Sequence, residues 1–221
     1  LTLTRQLQST PQDAEGWQVK GDLLMYGKRD LDGALAAYRQ AIAVQPNSVA
    51  AHSAALTVLL TQNDLEGARK QLEGLQKIQP KHPQTLYFAA NVALMDKNVD
   101  KAKEIVDQLL RVVSVNPRIL QLAGMIEFER RAWAQAESNL GKALQLDPSL
   151  DASRRLLAST YLQRAEPAKA LSTLQPLLER PNPPAAVYTL KAQAHLQAGD
   201  LAEAEKAFAQ AAKINPDDAR N

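Results

Sequence analysis

At 221 residues the chain has the length of one or two ordinary domains. Its net charge of +2 is too small to point to nucleic acid or an acidic membrane surface, and the lack of cysteine excludes disulfides and cysteine-held metals. No apolar run is long enough to cross a bilayer as a helix.

Residues 1–9 place Leu3 and Leu7 on one side, as the end of a helix would. A first helix is then expected around Trp17 and Gly21, followed by a turn near Lys28-Arg29. Asp30 is positioned to cap a second helix that carries Ala34, Tyr38, Ala41 and Val44 and stops at Pro46. The pair then recurs. Ala34, Ala68, Ala102, Ala136, Ala170 and Ala204 stand 34 residues apart without a slip. A fixed period of this length signals stacked helical hairpins.

Three further columns keep the same phase. Four residues after each alanine come Tyr38, Leu72, Val106, Leu140, Leu174 and Phe208. Next come Ala41, Leu75, Leu109, Ala143, Leu177 and Ala211, then Val44, Ile78, Val112, Leu146, Arg180 and Ile214. Offsets of four, three and three place all four columns on one helical face, which predicts their burial. Pro46, Pro80, Pro148 and Pro216 close the helices, with Ser114 and Asn182 in the other two repeats. Arg180 is the one departure in its apolar column. Pro181, Pro183 and Pro184 follow it, so that helix end is expected to be frayed or bent.

Turn residues agree with the pattern. Asp30, Asp64, Asn98 and Asp200 are cap residues, Glu166-Pro167 puts proline at a first helical position, and Gly199 supplies a flexible residue before its cap. Ala90, Gly124, Ala158 and Ala192 form a small-residue column in the first helices, which Leu56 breaks. In the first repeat this helix is shifted by one residue. Gly21 then takes the small position and Trp17 the large one, so the turn near Lys28-Arg29 is expected to hold one extra residue.

At these residues the chain resembles the tetratricopeptide repeat (TPR) family, whose pattern runs large residue, leucine–glycine, aromatic, alanine, aromatic, alanine, proline. Trp17, Gly21, Ala34, Tyr38, Ala41 and Pro46 match it best, and Gly199, Leu201, Ala204, Phe208, Ala211 and Pro216 nearly as well. The resemblance implies an all-α solenoid, a right-handed superhelix of antiparallel helix pairs. Its repeats would lie at 13–46, 47–80, 81–116, 117–148, 149–182 and 183–216. Residues 1–12 then read as the end of a preceding repeat and 217–221 as the start of another. With the helix through Ala204 and Ile214 still amphipathic, the chain is expected to be a fragment of a longer array, open to end-to-end self-association.

A narrower resemblance lies in KGDLLMYGKRDLDGALAAYRQAIAVQP, HPQTLYFAANVAL, LDASRRLLASTYLQRAEPAKALSTLQPLL and AHLQAGDLAEAEKAFAQAAKINPDDAR. These are similar to the TPR-repeat lipoproteins of exosortase (PEP-CTERM) sorting systems. That likeness implies a lipid-anchored scaffold of the bacterial cell envelope, in the periplasm, serving protein sorting or exopolysaccharide export.

Residues suited to catalysis do not converge. His52, His82 and His195 occupy different repeats and positions, without metal-ligand spacing, and His195 reads as packing filler. Ser53 and Ser159 have no base beside them in sequence, and Gly16 to Gly21 lacks the lysine and hydroxyl residue of a phosphate loop. Asp217-Asp218 and Glu203-Glu205 read as solvated or helix-start charges. The chain is therefore read as no enzyme, with no cofactor or metal and no nucleic-acid partner. The expected partner is a protein or peptide.

The resemblance further implies that first helices line a concave groove. Its residues would be Asp22, Tyr26, Ser53, Thr57, Tyr87, Asn91, Met95, Gln121, Met125, Glu129, Arg155, Ser159, Gln163, Thr189, Gln193 and Gln197. Tyr87, Met95, Met125 and Phe128 would form an apolar strip, methionine adapting to varied segments. Met125 and Phe128 also fit plain packing against the next repeat. Asn91 resembles the asparagine with which some TPR domains hold a ligand backbone, but Tyr87 stands where their lysine would. Arg155 fits either an acidic ligand or solvent. Two alternatives to a binding scaffold stay open: a spacer or self-assembly module, and an accessory segment of an enzyme whose catalytic domain lies elsewhere.

The alanine columns carry a direct test. Ala102→Trp or Ala136→Trp should overpack a helix pair, cost about 1–3 kcal/mol, and spread damage to adjacent repeats. A thermal melt unmoved by both would show that another column is buried.

Overall fold

A computed structural model describes residues 13–215, and among these the fold is all-α. The expectations placed on residues 1–12 and 216–221, the helix-closing Pro216 included, lie outside the described residues. Twelve α-helices follow in order: α1 (Ala14–Asp22), α2 (Leu31–Val44), α3 (Val49–Thr61), α4 (Leu65–Ile78), α5 (Pro83–Met95), α6 (Val99–Val112), α7 (Pro117–Glu129), α8 (Trp133–Leu146), α9 (Asp151–Gln163), α10 (Pro167–Leu178), α11 (Ala185–Ala198) and α12 (Leu201–Ile214). The chain divides into two compact units, Leu1–Val113 and Ser114–Asn221. In each, a helix packs against the next along the chain, and alternate helices also touch: α3 meets α5 in the first unit, and α9 meets α11 in the second.

The helix starts are written in capping chemistry. Asp30, Asp64, Asn98 and Asp200 each accept a hydrogen bond from the amide three residues on, at 2.9, 2.9, 3.2 and 3.3 Å. Each satisfies a donor that the first turn leaves unpaired. Pro83, Pro117 and Pro167 stand at first helical positions, where no amide bond is lost.

The turn within each pair has a feature that the residue types conceal. Arg29, Asn63, Lys97, Arg131, Ala165 and Gly199 all adopt left-handed backbone, with φ between 55° and 81°. They share the 34-residue period. This geometry reverses the chain and lets the amides of Asp64, Asn98, Ala132, Glu166 and Asp200 bond the carbonyl five residues back, each at 2.9 Å. Only glycine adopts such a φ without steric cost, and asparagine tolerates it better than most.

The first repeat handles its extra residue differently from the expectation. The turn at Lys28-Arg29 has the ordinary form, and Leu23–Lys28 is wound as a π-helix continuing α1. Asp30 accordingly bonds the carbonyl of Leu24, six residues back, at 2.9 Å. A wider helical turn absorbs the insertion and leaves the left-handed residue and the cap in phase.

Packing follows three of the four columns. All six alanines are buried, five with no exposed surface. Tyr38, Leu72, Val106, Leu140 and Leu174 are buried above them, as are Ala41, Leu75, Leu109, Ala143 and Leu177. Each large aliphatic side chain buried in this way contributes about 1.5–3 kcal/mol. Phe208 and Ala211 are the corrections in these two columns: Phe208 is 42% exposed and Ala211 half-buried, since no described helix follows α12. The fourth column is also corrected. Val112, Leu146 and Ile214 are exposed and Val44 and Ile78 only half-buried. Each is the last residue of its helix, with no further turn to pack beyond it.

Close approach explains the small positions of the first helices. A Cβ added at Gly21 would lie 2.3 Å from the Tyr38 ring, and one at Gly124 would lie 2.5 Å from Leu140 Cγ. The glycines therefore admit the large residues of the second helices. Leu56, the exception, is itself fully buried. The Arg180 expectation finds its account here as well. With Pro176 inside it, α10 ends at Leu178 after 12 residues, where the other second helices have 14. Arg180 lies past that end and makes a two-pronged ion pair with Asp151, at the start of α9.

Ala165→Gly should raise stability by about 1 kcal/mol, because the strain of a left-handed alanine exceeds the entropy that glycine adds to the unfolded chain. A calorimetric melt checks this, and an unchanged or lower Tm would show that Ala165 carries no strain.

Candidate functional site

Successive first helices are set side by side by the pairing just described, so their residues at equal repeat positions become neighbours. The clearest product is a cleft of about 520 Å³ between α9 and α11. Its walls are four pairs, each 34 residues apart: Ala152 and Ala186, Arg155 and Thr189, Leu156 and Leu190, Ser159 and Gln193. Two alanines open the space and two leucines give it an apolar part. Ser159 Oγ donates to the Arg155 carbonyl at 3.1 Å and Thr189 Oγ1 to the Ala185 carbonyl at 3.2 Å. Their hydrogens are thereby spent on their own helices, leaving oxygen lone pairs toward the cleft.

Arg155, Ser159, Thr189 and Gln193, all expected groove residues, are thus brought together in one cleft. The small and apolar walls were not read from it, although the 34-residue spacing of Ala152–Ala186 and Leu156–Leu190 was available as a signal. Gln197 is used differently, since its Nε2 donates to the Leu162 carbonyl at 3.0 Å and ties α11 to α9.

A second cleft of about 400 Å³ gathers Phe128, Glu129, Arg131, Trp133 and Gln163. Phe128 sits edge-on to Trp133, with ring centres 5.1 Å apart, and packs against Ala136, Leu140 and Leu157. Phe128 thus packs against this cluster and lines the cleft as well. Trp133 and Arg131 were not foreseen, since neither belongs to a first helix. Met125 is partly exposed and Gln121 half-buried on α7. A third cleft, of about 490 Å³, lies between α11 and α12 around Thr189, Glu205 and Phe208.

In the first unit several expected groove residues are committed internally. Asp22 accepts from the Tyr38 hydroxyl at 2.7 Å. Burial, then this carboxylate, pushes the Tyr38 phenol well above its usual range. Ser53 is buried with its hydroxyl unpartnered among the described residues, and Thr57 donates to the Ser53 carbonyl at 2.9 Å. Asn91 Nδ2 donates to the Tyr87 carbonyl at 2.8 Å. Tyr87 stands edge-on to Phe88, with ring centres 5.6 Å apart, and leans on the core of this unit. Met95 is half-buried, and Tyr26, on the π-helical turn, is 74% exposed.

The histidines are engaged locally. His52 Nδ1 lies 2.6 Å from Gln71 Nε2 and its Nε2 lies 3.0 Å from the Pro46 carbonyl. His82 caps α5 through the Gln84 amide, and His195 Nδ1 lies 3.4 Å from Asp200. Among the described residues no three acidic or histidine groups cluster as metal ligands would.

Charge near the first cleft is organised by Arg180. Its hydrogen bonds hold the Asp151 carboxyl below the usual carboxylate range, with Arg155 and Arg154 adding weaker attraction. The stabilisation this provides is present above the unfolded value of about 3.9 and is lost as pH falls through the folded one. Arg180→Gln should therefore move the Asp151 midpoint upward in a carboxyl NMR titration. A midpoint that stays put would mean that the ion pair does not form in solution.

Comparison with known proteins points one way. The family profile described as "Cytochrome c-type biogenesis protein H TPR domain" matches residues 1–119, and a tetratricopeptide repeat profile matches residues 155–219. No curated protein matches the sequence. A tetratricopeptide repeat protein from Parabacteroides merdae ATCC 43184 superposes with a TM-score of 0.72 at 17% identity, covering 96% of this chain and 84% of that one. The structure from "Functional Characterization of Pseudomonas Aeruginosa pilF" gives a TM-score of 0.72 at 16% identity, covering 92% of each chain. YrrB, described as a TPR protein with an unusual peptide-binding site, gives 0.54 at 17% identity, covering 94% of this chain and 97% of that one. At these identities the structural likeness shows the fold, a TPR α-solenoid.

Proposed function

The chain belongs to the family of cytochrome c-type biogenesis protein H TPR domains, and from that premise we propose that it is a non-enzymatic scaffold holding a peptide or partner protein against its first helices. The cleft between α9 and α11 carries this reading. It is open, mixed in polarity and built from repeated positions, as a site for an extended segment needs to be. YrrB, a protein of the same fold, has a peptide-binding site, which supports the same use here.

The setting we propose is the bacterial envelope. Protein sorting and exopolysaccharide export of the exosortase kind are supported by the four sequence strings quoted above. Cytochrome c-type biogenesis is the second reading, favoured by the family match over residues 1–119. Assembly of copies through α12 is the structural alternative, favoured by the exposure of Phe208.

One capture experiment separates these readings. Gln193 is exposed, so Gln193→Trp should fill the cleft without disturbing the fold. Capture from envelope extract should fall at least about tenfold relative to the unaltered chain, a loss of roughly 1.4 kcal/mol. Undiminished capture removes the cleft from the reading. Sorting or export proteins among the captured partners support the first setting, and cytochrome-maturation proteins the second. Sedimentation of the same sample should give a mass independent of concentration; growth with concentration would favour self-assembly.

A further inference from the structure

We propose that the cleft between α9 and α11 selects an extended peptide by an internal aspartate or glutamate, whose carboxylate pairs with Arg155. The proposal rests on the scaffold reading and adds the chemistry of its ligand.

Among the described residues, Arg155 is the one charged group in the cleft walls, and no carboxylate faces it there. It is half-buried, and its guanidinium makes no hydrogen bond to any described residue. The neighbouring acid, Asp151, accepts both prongs of Arg180. Arg154, next in sequence, gives its Nη2 to the Pro148 carbonyl at 3.0 Å. The hydrogen bonds of the local acid are thus taken by Arg180, and Arg155 adds only a weaker attraction to it. A half-desolvated guanidinium with its donors unused favours a carboxylate, which can accept two parallel hydrogen bonds from it.

The other polar groups decide where on the ligand that carboxylate sits. Ser159 and Thr189 present acceptor oxygens, because their hydrogens bond their own helices. Acceptors repel a carboxylate and welcome peptide N–H groups. Gln193, on the same wall, offers both an amide donor and a carbonyl to a ligand backbone. Backbone on either side of the acidic residue therefore runs along Ser159, Thr189 and Gln193. Leu156 and Leu190 take an apolar neighbour, and Ala152 and Ala186 leave room for the chain. This arrangement fits an acidic side chain within a peptide. A terminal carboxylate would leave the acceptors on one side unused.

The test uses the whole 221-residue chain and two pools of random decapeptides, one blocked by acetylation and amidation and one with a free C-terminal carboxylate. The captured pool should be enriched in aspartate and glutamate. Replacing the acidic residue of a captured peptide by its amide should weaken binding about tenfold or more, the range of a charge-assisted hydrogen bond. Arg155→Met should cause the same loss and make the protein indifferent to the amide replacement, while Arg155→Lys keeps part of the preference. A pool without acidic enrichment overturns the proposal, as does an amide penalty that Arg155→Met leaves intact; in both cases the scaffold reading survives. Capture only of peptides with a free C-terminal carboxylate also overturns it. If no peptide of either kind is captured, the scaffold reading falls and takes the proposal with it. Should Arg155→Met fail to fold, the amide replacement and Arg155→Lys arms still decide.

Discussion

The structure depends on how closely two helix backbones can approach. Each second helix presents an alanine at the point of contact, and all six are buried. At that distance a larger side chain would force the pair apart, so the large residues stand four positions later, as at Tyr38 and Leu140. They fit where the opposing first helix is small, as at Gly21 and Gly124. The left-handed residue in each turn holds the two helices in this phase. A repeat joined in this way cannot bury its own faces alone, and its stability comes from the neighbour packed on it.

Function inherits that geometry. A constant phase stacks equal repeat positions, so the wall of a cleft is a column of residues 34 apart. Arg155 and Thr189, or Ser159 and Gln193, meet for this reason. The column gives position and leaves chemistry to the individual residue. Asp22 holds Tyr38, Gln197 holds the Leu162 carbonyl and Phe128 holds Trp133. The Arg155 guanidinium makes no hydrogen bond to any described residue and is drawn only weakly to Asp151, which sets it apart from these first-helix residues.

Charge follows the period in a form that a scan for like residues misses. Arg69 pairs with Asp96, and Glu137 pairs with Arg164. The two pairs occupy the same repeat positions with their signs exchanged. Each joins a second helix to the end of the following first helix. Such partly exposed pairs contribute about 0–1 kcal/mol each, so they refine the docking of neighbouring repeats more than they hold it. Opposite signs at one position cancel in a column average and remain invisible until the partners are seen together.

By itself the sequence determined the helix pairs, their caps at Asp30, Asp64, Asn98 and Asp200, and the buried alanine columns. These features rest on contacts within a few residues or on a period repeated along the chain, and both can be read along a line. The expected first-helix residues were legible as positions too, Arg155 and Gln193 among them. Tertiary structure alone decided the rest. It wound the extra residue of the first repeat into a π-helical turn, exposed Val112 and Leu146 at their helix ends, and imposed left-handed backbone on Arg29, Lys97, Arg131 and Ala165, whose residue types do not ask for it. It also decided which polar groups are spent. Ser159 and Gln197 look alike as polar residues on first helices, yet one bonds within its own helix and the other crosses to the preceding repeat. What a side chain has left to offer depends on acceptors up to 35 residues away, and only the packed chain brings those within reach.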